Sequence, residues 1–162
     1  MNLQVKISKS RVEAFSDGVI AILITVMVFD LKVTSLAGGI VVTELNGLLP
    51  RLAWYTVSFL MLAIMWVNHH QLFQQIKHAD GCLLWLNVHL LFWMSLIPVA
   101  TNMIGAYTTD WIATTAYSLI FFMCVVAFAL LRMHVLRNSV LRSAAYHGHR
   151  LVLKKNGLAM AL

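Results

Sequence analysis

Glu13 and Asp17 stand four residues apart at the entrance to an otherwise apolar stretch, RVEAFSDGVIAILITVMVFDL, from Arg11 to Leu31. Residues four apart share a helix face, so both carboxylates lie on one side and need partners there. Asn68, His69, His70 and Gln71 form one polar cluster further along, and Asn87 and His89 another. Their amides and imidazoles can hydrogen-bond a carboxylate or, as imidazolium, neutralise it. Ionisable groups at the lip of a membrane-length helix are kept where they face a protein interior or a water-filled path. One reading is a polar collar that holds the first helix in place. The other is a set of interfacial histidines solvated by water and lipid headgroups.

Other chemistry finds less support. His69, His70, His78 and His89 could bind zinc, and His89 with His134 could hold a haem, but adjacent histidines diverge by about 100° on a helix. There is no HExxH or comparable ligand spacing. Cys82 and Cys124 offer no CxxC and no disulfide framework. Nothing matches a GxSxG elbow, a P-loop or a GxGxxG turn, so an enzyme would lack a nucleophile or a phosphate cradle. No metal and no cofactor is expected.

A second face of the same helix carries a different pattern. Phe15, Gly18, Ile22, Thr25 and Phe29 follow steps of three and four, with Val26 beside them, and Asp17 lies about 140° from Ile22. Around an axis shared by several copies, Ile22 would form a ring of branched hydrocarbon and Thr25 a ring of hydroxyls one turn on. A hydrophobic ring can gate by dewetting, and hydroxyls can replace part of an ion's hydration shell. The same stripe also fits ordinary helix packing, with Gly18 permitting close approach.

The elements that position these residues are membrane spans. The chain is 60% hydrophobic and 11% charged, against roughly 25% charged in soluble domains, and its mean hydropathy is +0.81. Its charge of +6 comes from bases that fall between apolar stretches rather than on one face, so it marks topology and not nucleic-acid binding. The fold class is all-α: an integral membrane helical bundle with four complete transmembrane helices at about 11–31, 49–67, 83–105 and 111–131. Pro98 is expected to kink the third. Trp54, Trp66, Trp85, Trp93 and Trp111 read mostly as interfacial anchors. Gly38, Gly39, Asn46, Gly47 and Pro50 read as a loop between the first two spans, and the TTD turn ending at Asp110 as a loop between the last two. The first span is too long and too acidic for a signal peptide.

Lys6, Lys9 and Arg11 precede the first span, Lys77 follows the second, and Arg132, Arg137, Arg142, Arg150, Lys154 and Lys155 follow the fourth. The positive-inside rule therefore puts the N-terminus in the cytoplasm, with Lys32 and Arg51 the contrary charges. The closing GLAMAL reads as the start of a fifth helix.

Three segments, RVEAFSDGVIAI, WVNHHQLF and LLWLNVHLLFWMSLIPVAT, resemble those of prokaryotic relatives of transmembrane protein 175, over about residues 11 to 131. Such proteins are potassium-selective channels without a TVGYG filter, which this chain also lacks. They are tetramers of six-helix subunits whose first helix lines the pore. The resemblance implies that Ile22 is the hydrophobic constriction, that Val26 and Phe29 are further apolar pore positions, and that Thr25 bears on selectivity. It also implies that Arg11, Ser16 and Asp17 help to position that helix, a role in which the polar reading adds Phe15, Gly18, Asn68, His69, His70 and Asn87. The expectation is thus one channel domain over residues 1–162, in a prokaryotic plasma membrane. Four copies would pass potassium passively through the lipid bilayer. Against six helices in its relatives, the chain is expected to be cut short. A non-conducting scaffold or inactive truncated relative is the alternative.

Overall fold

The computed structural model describes residues 8–31, 42–76 and 79–159, with side chains described for 8–29, 31, 47–76 and 79–138. Lys6, Lys32, Gly38, Gly39, Lys77, His78 and the last three residues of GLAMAL lie outside the described residues.

Apolar runs, β-branched residues included, form five helices among the described residues, which contain no strand; with no water in a bilayer core, the helix lets the backbone satisfy its own hydrogen bonds. Helix α1 spans Lys9–Val26 and tightens into a 3₁₀ turn over Met27–Asp30. Helix α2 spans Val42–Gln74, α3 Gly81–Ser95, α4 Ile97–Ala106 and α5 Trp111–Ala159. Among the described residues, four segments are long and apolar enough to cross a membrane: Lys9–Phe29, Gly47–Gln74, Gly81–Ala106 and Trp111–Asn138.

The third span is α3 and α4 together. Pro98 has no N–H to return to the Met94 carbonyl, and its ring crowds that carbonyl. The chain answers with a three-residue bond, Leu96 N–H to Trp93 O at 3.2 Å, and restarts as α4 with Pro98 in its first turn, where the missing donor costs nothing.

Two boundaries differ from the sequence reading. Asn46, Gly47 and Pro50, expected in a loop, lie within α2. A proline in a membrane helix is tolerated where water or neighbouring groups take up the freed carbonyl, and Pro50 sits in the first turns of its span. The residues of GLAMAL that are described do not open a new helix: they continue α5, whose 49 residues extend about 70 Å, far beyond a bilayer core.

Helix α1 packs against α2 and α3, whereas α5 packs against α3 and α4, so the broken third span stands between the first and the last. Buried Val12, Ile20, Leu23 and Met27 are the contribution of α1 to a core that continues through Leu62, Leu90, Met94, Ile97 and Ile104 to Phe121, Cys124, Ala127 and Leu131 on α5. Gly105 lets α4 approach α2 closely, since a Cβ there would stand 3.4 Å from the Arg51 Cα. Two carboxylates set helix starts. Asp80 Oδ1 accepts the Leu83 amide at 2.7 Å and Asp110 Oδ1 the Ile112 amide at 2.7 Å. Asp80 also meets His134 Nε2, 3.1 Å from each oxygen, and Asn138 Nδ2 at 3.2 Å, tying α3 to α5.

Candidate functional site

The two faces of α1 have opposite surroundings. Val12, Ser16, Ile20, Leu23 and Met27 are buried against the bundle. The stripe of Phe15, Gly18, Ile22, Thr25, Val26 and Phe29 is exposed, with Ile22 at 61% and Phe29 at 69%. Within one subunit, the packing of α1 therefore uses the other face. Along the exposed stripe, a Cβ at Gly18 would meet nothing within 4 Å. The Thr25 hydroxyl directs its single proton to the Ile22 and Ala21 carbonyls, at 2.9 and 3.1 Å. That bond satisfies the donor inside the helix and leaves the oxygen lone pairs as acceptors on the exposed side.

The buried face is fixed by a directed chain of hydrogen bonds through three helices. His69 Nε2, on α2, lies 2.8 Å from Asn87 Oδ1 on α3. Asn87 Nδ2 donates to Ser16 Oγ on α1 at 2.9 Å, and Ser16 passes its own proton to the Val12 carbonyl at 2.9 Å. Since the Asn87 amide spends its donor on Ser16, its oxygen faces the imidazole, and His69 carries its proton on Nε2. All three residues are essentially inaccessible. His69 stacks on Phe73 with centroids 4.3 Å apart, and its Nδ1 is buried without a hydrogen-bond partner among the described residues.

Beside this chain the two acids find separate partners on α2. Glu13 Oε1 lies 3.4 Å from His70 Nδ1, and Asp17 Oδ1 accepts the Trp66 indole N–H at 2.9 Å. His70 also meets Gln74 at 3.0 Å and stacks on Trp66. The helices run antiparallel, so the step of four from Glu13 to Asp17 is matched by a step of four backwards from His70 to Trp66. The structure thus brings together Ser16, Asp17, His69, His70 and Asn87. It does not bring Asn68 or Gln71 to the acids: both line a cleft between α2 and α5. His89 accepts from Trp93 Nε1 at 3.3 Å on its own helix. Arg11 is exposed at the start of α1 and pairs with no described residue.

Sequence reasoning missed Trp66, which read as an interfacial anchor. The signal was present: Trp66 lies four residues before His70, as Asp17 lies four after Glu13. It also missed a second buried polar group, in which Thr101 Oγ1 lies 2.7 Å from Ser58 Oγ, and Ser58 Oγ 3.0 Å from the Tyr117 hydroxyl, joining α4, α2 and α5. Among the described residues no three histidines, cysteines or acids gather as metal ligands, and His89 and His134 take different partners.

The arrangement is a helix fixed on one face by directional bonds and bare on the other, where apolar side chains flank the Thr25 hydroxyl. Residues 11–98 match the family described as endosomal/lysosomal potassium channel TMEM175. A potassium channel of Chryseobacterium sp. (strain P1-3) is 43% identical over 145 residues, covering 86% of this chain and 73% of that protein. A potassium channel of Streptomyces collinus is 40% identical over 132 residues, covering 78% of this chain and 64% of that protein. The crystal structure of a lysosomal potassium-selective channel TMEM175 homolog from Chamaesiphon minutus superposes with a TM-score of 0.74 at 30% identity, over 88% of this chain and 79% of that one.

Proposed function

We propose, because the chain belongs to the TMEM175 potassium-channel family, that it passes potassium down its gradient through a pore lined by α1 from four copies. The family is one of ion channels, not enzymes. The observation that carries the pore reading is the bare face of α1. Phe15, Ile22, Val26 and Phe29 are exposed along a helix whose other face is already packed, and the open space beside Gly18 leaves room for another helix.

In this mechanism Ile22 is the constriction. A ring of branched hydrocarbon offers an ion nothing in exchange for its hydration shell, so the ring closes by dewetting and opens when the α1 helices part. Thr25 follows one turn on, its hydroxyl oxygen turned outward as an acceptor by its bond to the Ile22 carbonyl, and assists a partly dehydrated cation. Val26 and Phe29 keep the rest of the path apolar. Ser16, Asp17, His69, His70 and Asn87 hold the register of α1. The N-terminus faces the cytoplasm of a prokaryotic cell, as the basic residues around the spans direct. No cofactor takes part.

The test is the reversal potential of reconstituted protein under a potassium-against-sodium gradient. Wild type is expected to reverse toward the potassium potential. Ile22→Asn, which places an amide that water can wet at the constriction, is expected to leak more, and Thr25→Ala to select less. Unchanged currents in both variants remove the two residues from the path. Silence from wild type and variants alike, in protein shown to be folded and inserted, favours a non-conducting scaffold.

A further inference from the structure

Asn68, Gln71 and Gln75 succeed one another by three and four residues along α2, and Arg132 lies across from them on α5. The cleft between them measures about 130 Å³ and is floored by Leu72 and Phe128. Among the described residues its lining holds one cation and no carboxylate. Several other polar side chains at this end of the bundle are taken: His70 by Glu13 and Gln74, Asp17 by Trp66, Asp80 by His134 and Asn138. The three amides and the guanidinium of the cleft have no hydrogen-bond partner among the described residues. A guanidinium is always charged and carries five donors, and each amide carries two more.

Depth decides what can reach these donors. The rise along α5 from Trp111 to Arg132 is about 32 Å, about the thickness of the hydrocarbon core. Arg132 therefore stands at the headgroup level, on the side where α1 begins and α2 ends. The cleft lies between α2 and α5, away from the α1 stripe, since α1 packs on α2 and α3. Basic pockets between spans at this depth suit anionic headgroups, and a guanidinium binds phosphate by paired, charge-assisted hydrogen bonds.

We propose that this cleft binds the phosphate of an anionic lipid headgroup from the adjoining leaflet. Arg132 supplies the charge and the forked donors, Asn68, Gln71 and Gln75 supply neutral donors to the remaining phosphate oxygens, and half-buried Phe128 stands beside the apolar start of the lipid tails. The site stands apart from the conduction reading, because it needs only the bundle and its membrane.

The experiment takes the chain from vesicles of phosphatidylcholine mixed with phosphatidylglycerol into mild detergent and weighs retained lipid by native mass spectrometry. Wild type is expected to retain phosphatidylglycerol in preference to phosphatidylcholine. Arg132→Gln is expected to lower that retention at least about tenfold, the change for losing a hydrogen bond between charged groups. Arg137→Gln, on the same helix but outside the cleft, is expected to lower it less than about twofold. Gln71→Leu leaves the charge intact and is expected to lower retention too, and it carries the test if Arg132→Gln fails to fold. Retention unchanged in both cleft variants overturns the proposal, as does an equal fall in Arg137→Gln, which marks general surface attraction. Inorganic phosphate added during extraction should leave the lipid bound; displacement at parity would make the ligand a soluble phosphate and overturn the lipid source. Because the readout is bound lipid, its failure leaves the conduction test untouched.

Discussion

Replacing Asn87 by Leu cuts the hydrogen-bond chain at its centre while nearly keeping the side chain's volume. The change removes the acceptor 2.8 Å from His69 Nε2 and the donor 2.9 Å from Ser16 Oγ. Ser16 keeps its bond to the Val12 carbonyl. His69 keeps nothing, because its Nδ1 already lacks a partner among the described residues and the ring is only 1% exposed. A buried polar group left unpaired costs about 1–3 kcal/mol in a soluble core, but interhelical hydrogen bonds in membranes average about 0.6 and reach about 1.7 kcal/mol. The lower scale applies here, since a chain separated within the membrane also finds partners. Two bonds lost from one side chain then predict a cost of about 1–3 kcal/mol, read as a shift in detergent or thermal unfolding. His69→Phe keeps the stack on Phe73 and removes the orphaned imidazole, so the pair of substitutions should cost less than the sum of the singles by about 1 kcal/mol. Distant sites add to within about 0.5 kcal/mol. Additivity inside that margin would refute the idea that His69 and Asn87 act as one unit.

Trp66→Phe retains a ring beside His70 but deletes the indole donor to Asp17. Both groups are partly solvated, so the stability cost should stay below about 1 kcal/mol; Asp17→Asn is expected to impair assembly or gating, read as weaker oligomer cross-linking or altered current, and Trp66→Phe should shift both in the same direction. Additive effects of these two changes would show that the indole is not how Asp17 acts. In Tyr117→Phe, the lost hydroxyl was one of two bonds to Ser58, and unfolding should ease by about 0.6 kcal/mol. Thr101→Val should cost more, because Thr101 also bonds the Ile97 carbonyl at 2.8 Å beside the break in the third span. A larger loss from Tyr117→Phe would place the main anchor on α5 instead.

The four spans and the two faces of α1 were legible because both follow from periodicity, and periodicity is a local property. The kink at Pro98 was legible for the same reason, since a missing N–H acts on its own helix whatever surrounds it. The partner of Asp17 was not. Histidine and amide side chains look like better donors to a carboxylate than an indole, but the choice depends on the register between α1 and α2. One pair, Glu13 with His70, would have fixed that register and delivered Trp66 with it. The extent of α2 before Pro50 and of α5 beyond its span was hidden too: outside the membrane, polar and glycine-containing sequence suits loops and solvated helices alike, and propensity is a weak guide. Asn68 and Gln71 illustrate the same limit. They are neighbours of His69 and His70 in sequence but, about 100° away per residue, they face α5 and not α1.

The way α1 is held bears on how it could move. Every described polar attachment of α1 to another helix lies between Glu13 and Asp17, within little more than one turn. Beyond Asp17 its described grip on the bundle is apolar, through Ile20, Leu23 and Met27 with half-buried Val19 and Ile24, and apolar contacts are non-directional. Directional bonds fix azimuth and height, so a shift at Ser16 or Asp17 breaks specific partners, whereas Ile20 and Leu23 can slide and repack at small cost. The proposed constriction and hydroxyl ring, Ile22 and Thr25, stand on the loosely held part, and the helix ends there in a 3₁₀ turn instead of a capped α-turn. A pore that opens by parting its α1 helices would thus be anchored at the end carrying the acids and free at the end carrying the gate. On the proposed pore, this geometry would give the buried polar chain a reason to lie at Ser16: it would keep Ile22 on the axis-facing side while leaving the distance between copies adjustable.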